Sequence, residues 1–299
     1  MQTVLKLDWE TATLDAVLRY RALPLTEPSA DYCAANLYMW DETYHQELAF
    51  CDGRAAGRIL EEDGKYRYLF PVGTGPIAPI LEAMAEFERE REGVLRFVGA
   101  TETELQILLA HFGNRAEVLE SREWEDYIYD AERLATLSGK KLHAKRNHIN
   151  AFTAAHEWYV EAVTAQKRDT CMEILQKWRE NKEADTAEEL RAVERGFDVF
   201  DALDLEGLLL YADGKPVAFT VGSSITCDTY CVHFEKTVPG FEGAFPVINR
   251  EFVRALLQKH PAMRWINRED DMGLPNLRAA KLSYHPAALL RKFDVSVTL

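Results

Sequence analysis

No apolar run in this chain approaches the roughly 18 residues of a membrane-spanning helix. The first residues, MQTVLKLDWE, lack the basic-then-apolar pattern of a secretory signal. Cysteine is sparse and odd in number: Cys33, Cys51, Cys171, Cys227 and Cys231 are scattered along the chain. That usage does not describe a disulfide framework, and it predicts reduced thiols and a cytoplasmic location. Cys227 and Cys231 have neither a second cysteine pair nor a histidine at ligand spacing, so they read as small buried residues and no metal is expected. A Walker loop, a dinucleotide fingerprint, a nucleophile elbow and a His-Glu-x-x-His motif are all missing. Positive charge is also short, with Lys+Arg 35 against Asp+Glu 49 and a net charge of −14. Coulomb repulsion therefore disfavours duplex DNA and an anionic membrane surface as partners.

What is present is a globular composition. Of 299 residues, 47% are hydrophobic and 28% charged, enough for a large core and, by length, for about two domains. The charge is uneven: residues 1–130 carry 12 basic against 25 acidic side chains, and residues 131–299 carry 23 against 24. With that break, the pattern predicts an acidic N-terminal unit over 1–130 and a second unit over 131–299 that carries the site. The Asp52-Gly53 turn predicts a hairpin, Pro76 a helix start, and Thr101 with Glu104 a capping box. Residues 131–155 read as one long helix bent at Ser138-Gly139, and 293–298 as a last strand of the second unit. Each unit mixes hairpinned strands with helices, which is an α/β (α+β) organisation built twice.

Three segments carry candidate chemistry. The stretch 131–150 holds five Lys/Arg, two His and one acid, the most basic part of the chain. Within it Arg146 shares a helical stripe with Leu142 and Ile149, so it must be paired or face a cleft. It reads either as one half of a buried pair with Glu269, Asp270 or Asp271, or as an anion clamp with Lys145, next to Asn147. The run Ile266 to Pro286 places Asn267, Glu269 and Asp271 directly after a strand, and Arg278, Lys281 and Tyr284 on the helix that follows. It reads either as a surface turn with a snorkelling lysine or as a binding segment. On the strand Tyr230–Lys236, simple alternation puts His233 and Glu235 on one face. That arrangement suits a general base with its orienting partner, or a plain polar pair. Gly240 and Gly243 precede a helix, where backbone amides can approach an anion.

Together these residues resemble the phosphatidylglycerol lysyltransferase C-terminal domain family. The resemblance is carried by Gly139, Lys140, His143, Lys145, Arg146, Asn147 and Phe152, then by Asn267, Glu269, Asp271, Gly273, Leu277, Arg278, Lys281, Tyr284 and Pro286. Trp40 and Phe70-Pro-Val-Gly73 extend it toward the N-terminus. It implies two tandem acetyltransferase-like (GNAT) units, each a mixed, mostly antiparallel sheet flanked by helices. It further implies acyl or aminoacyl transfer from an activated donor to a small-molecule amine or hydroxyl acceptor. No bound cofactor is required, and the donor is a charged tRNA or a CoA thioester. Two departures stand out. The membrane-spanning part of the best-known members has no counterpart here, and Gly240-x-x-Gly243-Ala244 only approximates an acyl-CoA phosphate loop. A non-catalytic ligand- or protein-binding module on the same fold is the competing expectation.

Overall fold

The computed structural model describes residues 5–180 and 186–299. The chain divides into two compact units, Met1–Asp126 with Leu290–Leu299, and Tyr127–Leu289. The first runs β1 (Glu10–Thr11), α1 (Leu14–Arg21), α2 (Ala34–Met39), α3 (Asp41–Tyr44), β2 (Glu47–Cys51), β3 (Arg54–Leu60), β4 (Tyr66–Tyr68), β5 (Val72–Gly73), α4 (Ile77–Arg91), β6 (Val94–Ala100), α5 (Glu102–Phe112) and β7 (Ala116–Glu120). There follow β8 (Asp126–Asp130), α6 (Ala131–Thr136), α7 (His143–Ala155), β9 (Trp158–Ala162), α8 (Arg168–Arg179) and α9 (Ala187–Asp198). Next come β10 (Glu206–Ala212), β11 (Lys215–Ser224), β12 (Thr229–Thr237), α10 (Ala244–Lys259), β13 (Trp265–Asn267), α11 (Pro275–Leu282), β14 (Ala288–Leu290) and β15 (Phe293–Thr298).

The first sheet has the order β1-β2-β3-β4-β6-β15-β7, with β5 attached to β3; the second has the order β14-β8-β13-β12-β11-β10-β9. Each contains one parallel pair, β4–β6 and β12–β13, and is otherwise built from antiparallel partners where the register is defined. The two plans correspond. In each sheet the strand beside the parallel pair comes from elsewhere in the chain: β15 lies between β6 and β7, and β8 lies between β13 and β14. The division therefore differs from the expected 1–130 and 131–299. The strand at 293–298 forms as read, but it completes the first unit. Val295 and Val297 are fully buried there, and Lys292 just before it bonds Asp126 and Asp31 at 2.8 Å each. Strand partnership at this sequence separation leaves no local trace.

Local signals translate directly elsewhere. Asp52 and Gly53 take φ of 45° and 78°, the twist that closes the β2–β3 hairpin. Both capping-box bonds of Thr101 and Glu104 form at the start of α5. The single long helix expected at 131–155 is two helices instead. Leu137 adopts φ 51° and Gly139 φ 88°, so the chain leaves α6, makes a short turn over Lys140–Leu142 and restarts as α7. Among the described residues no helix is long and apolar enough to cross a membrane.

Glu104 is buried, and its carboxylate also accepts the Tyr32 hydroxyl at 2.6 Å. Burial pushes its pKa up to about 7, against the hydrogen bonds that favour ionisation. The folded state thus binds a proton between about pH 4.5 and 7 that the unfolded state has released. Stability of the first unit should fall by up to about 3 kcal/mol as pH rises through that window. Urea unfolding at pH 5 and pH 8 measures the drop, and Glu104→Gln should flatten it. An equally flat wild-type profile would mean that the carboxyl is ionised at both pH values.

Candidate functional site

The second unit's sheet is irregular where the candidate residues meet. Val221 opposes Phe234 while Gly222 opposes Val232, so His233 is the extra residue of a β-bulge. Gly222 is required there, because a Cβ would run into the Cys231 carbonyl oxygen. The bulge reverses the alternation of β12. Before it, Tyr230 and Val232 pack with Val247, Ile248 and Phe252 of α10. After it, Glu235 turns to that same helix, where Asn249 Nδ2 donates to it at 3.0 Å and Arg268 Nη2 at 3.1 Å. His233 goes the other way, with Cys231. The expectation that His233 and Glu235 share a face fails because one inserted residue shifts the register of side chains.

Parallel pairing of β12 with β13 covers only Thr229–Cys231 against Trp265–Asn267. β12 continues to Thr237, so the two strands part, and the segment after Asn267 supplies side chains on both sides of the gap. This segment is held from every direction. Asn267 is fully buried and its Oδ1 accepts the Glu269 amide at 2.6 Å. Arg268 N donates to Tyr127 O at 3.0 Å, and Tyr127 N donates back to Glu269 O at 3.1 Å. Lys281 is buried, and its Nζ donates to Arg268 O at 2.6 Å and also to Asp270 O. Glu269 and Met272 adopt left-handed φ of 56° and 52°, a conformation that persists only where surrounding bonds over-determine it.

Asp271 anchors the far end. Arg278 binds it through two bonds of 2.8 Å, the Tyr127 hydroxyl donates to it at 2.5 Å and Gly273 N at 3.0 Å. Burial alone would raise its pKa, but these donors hold it down at about 2. Arg278 and Asp271 are thus brought together as partners of one another.

On the α10 side, Arg268 lies between Glu235 and aromatic faces, 5.0 Å from the Tyr284 ring and 5.5 Å from Phe245. Burial works most strongly against its charge, but Glu235, Tyr129 and Tyr284 together outweigh it, so its pKa is raised; Glu235 is itself raised, by burial. Lys145 places its ammonium 4.1 Å from the centre of the Tyr284 ring. Its pKa is lowered, by burial first and by the neighbouring Arg268 second. Two buried donors in this group, Arg268 Nη1 and Tyr284 Oη, have no hydrogen-bond partner among the described residues.

On the opposite side, His233 Nε2 lies 2.9 Å from Ser223 Oγ and its Nδ1 3.2 Å from Glu269 Oε1. Cys231 Sγ is 3.6 Å from that same carboxylate oxygen.

The structure thus gathers Lys145, Glu235 and Tyr284 into one group, His233 and Glu269 into another, and Asp271 with Arg278 into a third. It does not gather the rest. Arg146 donates to the carbonyls of Leu137 and of Gly139, the latter at 2.8 Å, and so caps the α6–α7 break instead of meeting Asp271. The reason is positional: left-handed Leu137 turns free carbonyls toward α7, and Arg278 already occupies Asp271. Asn147 is exposed and reaches His143 at 3.2 Å. Gly240 stands in open space. Gly243 is used for packing, as a Cβ there would sit 2.5 Å from His148 O in α7. An open concavity of about 410 Å³ near Asp130, Arg133, Thr136 and Trp265 includes none of the expected site residues.

Arg268, Asn249, Ser223 and Cys231 were not singled out as site residues from sequence. Arg268 is the one cation in a run of carboxylates, and Asn249 interrupts the apolar stripe of α10, so both left a signal. Ser223 left none.

Residues 24–295 match the family described as phosphatidylglycerol lysyltransferase, C-terminal. A conserved protein of unknown function from Bacteroides thetaiotaomicron is similar at 30% identity and a TM-score of 0.90, over 97% of this chain and 99% of that one. L-PGS from Bacillus licheniformis superposes with a TM-score of 0.65 at 13% identity, over 96% of this chain and 92% of that one. FemX does so with 0.60 at 8%, over 98% and 97%. These two likenesses concern the fold, which is of the acetyltransferase-like kind. An uncharacterised protein of Mycoplasmoides gallisepticum is 26% identical over 181 residues, 58% of this chain; the match spans only 56% of that relative's length.

Gly243 has φ 92° as well as its close approach to α7, whereas Gly240 has φ 90° and empty surroundings. Gly243→Ala should therefore destabilise the second unit by about 1–3 kcal/mol, and Gly240→Ala by less. Thermal melting separates the two. Equal melting temperatures would mean that Gly243 is not needed for packing and is free for a ligand.

Proposed function

Because this chain belongs to the phosphatidylglycerol lysyltransferase C-terminal family, we propose that it transfers an aminoacyl group from a charged tRNA to an amine or hydroxyl acceptor. The attacking nitrogen or oxygen forms the new amide or ester bond at the aminoacyl carbonyl. The ribose hydroxyl departs and carries away the proton that the acceptor gives up.

The observation that carries this reading is the pair of buried donors, Arg268 Nη1 and Tyr284 Oη, left without partners beside the half-buried Lys145. A buried donor without a partner costs about 1–3 kcal/mol, and an incoming acceptor oxygen recovers that cost. The group combines two cations, Arg268 and Lys145, with one carboxylate, Glu235, which Arg268 binds, so it has a net positive charge that suits a phosphate or a polarised carbonyl. It lies where β12 parts from β13, so main-chain amides of β12 beyond the bulge are placed to approach the same carbonyl.

Charge supports a tRNA donor despite the net −14 of the whole chain. Lys140, Lys141, His143 and His148 are exposed on the turn and first turns of α7, the same helix that carries Lys145. A basic face that leads to a half-buried lysine fits a polyanion whose reactive end is inserted. The absent side chain of Gly243 serves its contact with α7, which gives that glycine a role without a CoA phosphate.

Turnover of labelled aminoacyl-tRNA with a panel of amine and hydroxyl acceptors tests the reading. Lys145→Met should lower transfer by about tenfold or more, the worth of a charged hydrogen bond. Lys140→Glu with Lys141→Glu should weaken retention of tRNA on filters and its salt dependence. If CoA thioesters are turned over and no charged tRNA is, the donor assignment is wrong. Stoichiometric retention without turnover would instead favour a binding module.

A further inference from the structure

We propose that Cys231, His233 and Glu269 form a binding site for a divalent transition-metal ion of the zinc class. Tetrahedral zinc, with bonds of about 2.3 Å to sulfur and about 2.0–2.2 Å to nitrogen and oxygen, sets its ligand atoms roughly 3.3–3.6 Å apart. Here Cys231 Sγ lies 3.6 Å and His233 Nδ1 3.2 Å from the same Glu269 oxygen, and all three ligand atoms lie within 4.8 Å of one another. Two edges of such a site, sulfur to oxygen and nitrogen to oxygen, are already close to these lengths, and the third, sulfur to nitrogen, is no longer than 4.8 Å.

The surroundings fit as well. His233 Nε2 lies 2.9 Å from Ser223 Oγ. Donating its proton to that hydroxyl leaves the Nδ1 lone pair toward the cluster, as outer partners of metal-bound histidines do. Cys231 and His233 are two apart on the stretch of β12 that precedes the reversal, so the rigid strand aims both to one side. Glu269 comes from the held segment after β13, in a left-handed conformation of φ 56°. Cys231 is fully buried and the His233 side chain is 1% exposed, while the Glu269 side chain is 26% exposed. Three ligands and one open side form an unsaturated site, the kind that keeps a position for water or a substrate group. Thiolate and imidazole together select zinc-class ions over magnesium or calcium. The spacing of Cys227 and Cys231 carries no metal signal, because the partners of Cys231 are His233, two residues on, and a carboxylate in a distant turn.

The site is independent of the transfer reading, and its test reads metal alone. Cobalt(II) titrated into the metal-depleted full chain should bind one equivalent. It should give a near-ultraviolet thiolate-to-cobalt charge-transfer band and the intense visible bands of four-coordinate cobalt. Zinc should displace it. Cys231→Ser should abolish the charge-transfer band, and Glu269→Gln, at a partly exposed position, should weaken binding by about tenfold or more. Cys227→Ser, at an exposed cysteine, should change nothing. Circular dichroism of each variant shows whether it has folded. Absence of the band in the folded wild-type chain overturns the proposal. So does a band that survives Cys231→Ser, or one that is lost with Cys227→Ser.

Discussion

The buried ammonium of Lys281, donating into the main-chain carbonyls of Arg268 and Asp270, is the contact on which the site is built. A lysine at this depth is tolerated only where acceptors replace its water. Here the acceptors are the backbone of the very segment that must hold an unfavourable conformation. Asn267 from inside, Tyr127 from the neighbouring strand and Asp271 with Arg278 at the far end complete the restraint. With the segment fixed, consecutive residues point apart: Arg268 toward Glu235 and Phe245, Glu269 toward Cys231 and His233 of β12.

A second irregularity in the facing strand matches this one. The extra residue at His233 sends Glu235 toward Arg268 and leaves His233 beside Glu269. Without the bulge, simple alternation would put both β12 side chains on one face. With it, the gap between the parted strands has two chemically distinct flanks. One is cationic and aromatic, with donors in excess; the other combines thiol, imidazole and carboxylate. A regular strand facing a relaxed turn would not give that division; the two departures from ideal geometry are 36 residues apart in the chain and meet in space, with His233 beside Glu269.

Much of this was legible in the sequence, and the failures have physical causes. Hairpin turns, the capping box and the 293–298 strand are set by neighbours in the chain, and they formed as read. The two segments that carry the family resemblance supply Lys145, Glu269 and Tyr284 to the groups described, alongside residues of β12. Face assignments failed where they relied on uninterrupted periodicity. One inserted residue in β12 moved Glu235 to the other side, and left-handed Leu137 broke the helix that was to carry Arg146 toward Asp271. The sequence required Arg146 to find partners, and it did so in carbonyls created by that break. Carbonyl acceptors have no letter in a sequence, whereas carboxylates do, so a sequence points to the carboxylates first. Arg268 and Ser223 depend on register between strands far apart in the chain.

The sheet order also constrains how the chain is made. The strand between β6 and β7 follows every other strand of its sheet in the chain, so those two strands must wait for residues 293–298 while the whole stretch from Tyr127 to Leu289 is made. Throughout that interval the first sheet presents a slot lined by unpaired backbone, the kind of edge that another nascent chain can occupy. The acidic character of residues 1–130, which does nothing evident for the site, would keep such unfinished sheets apart.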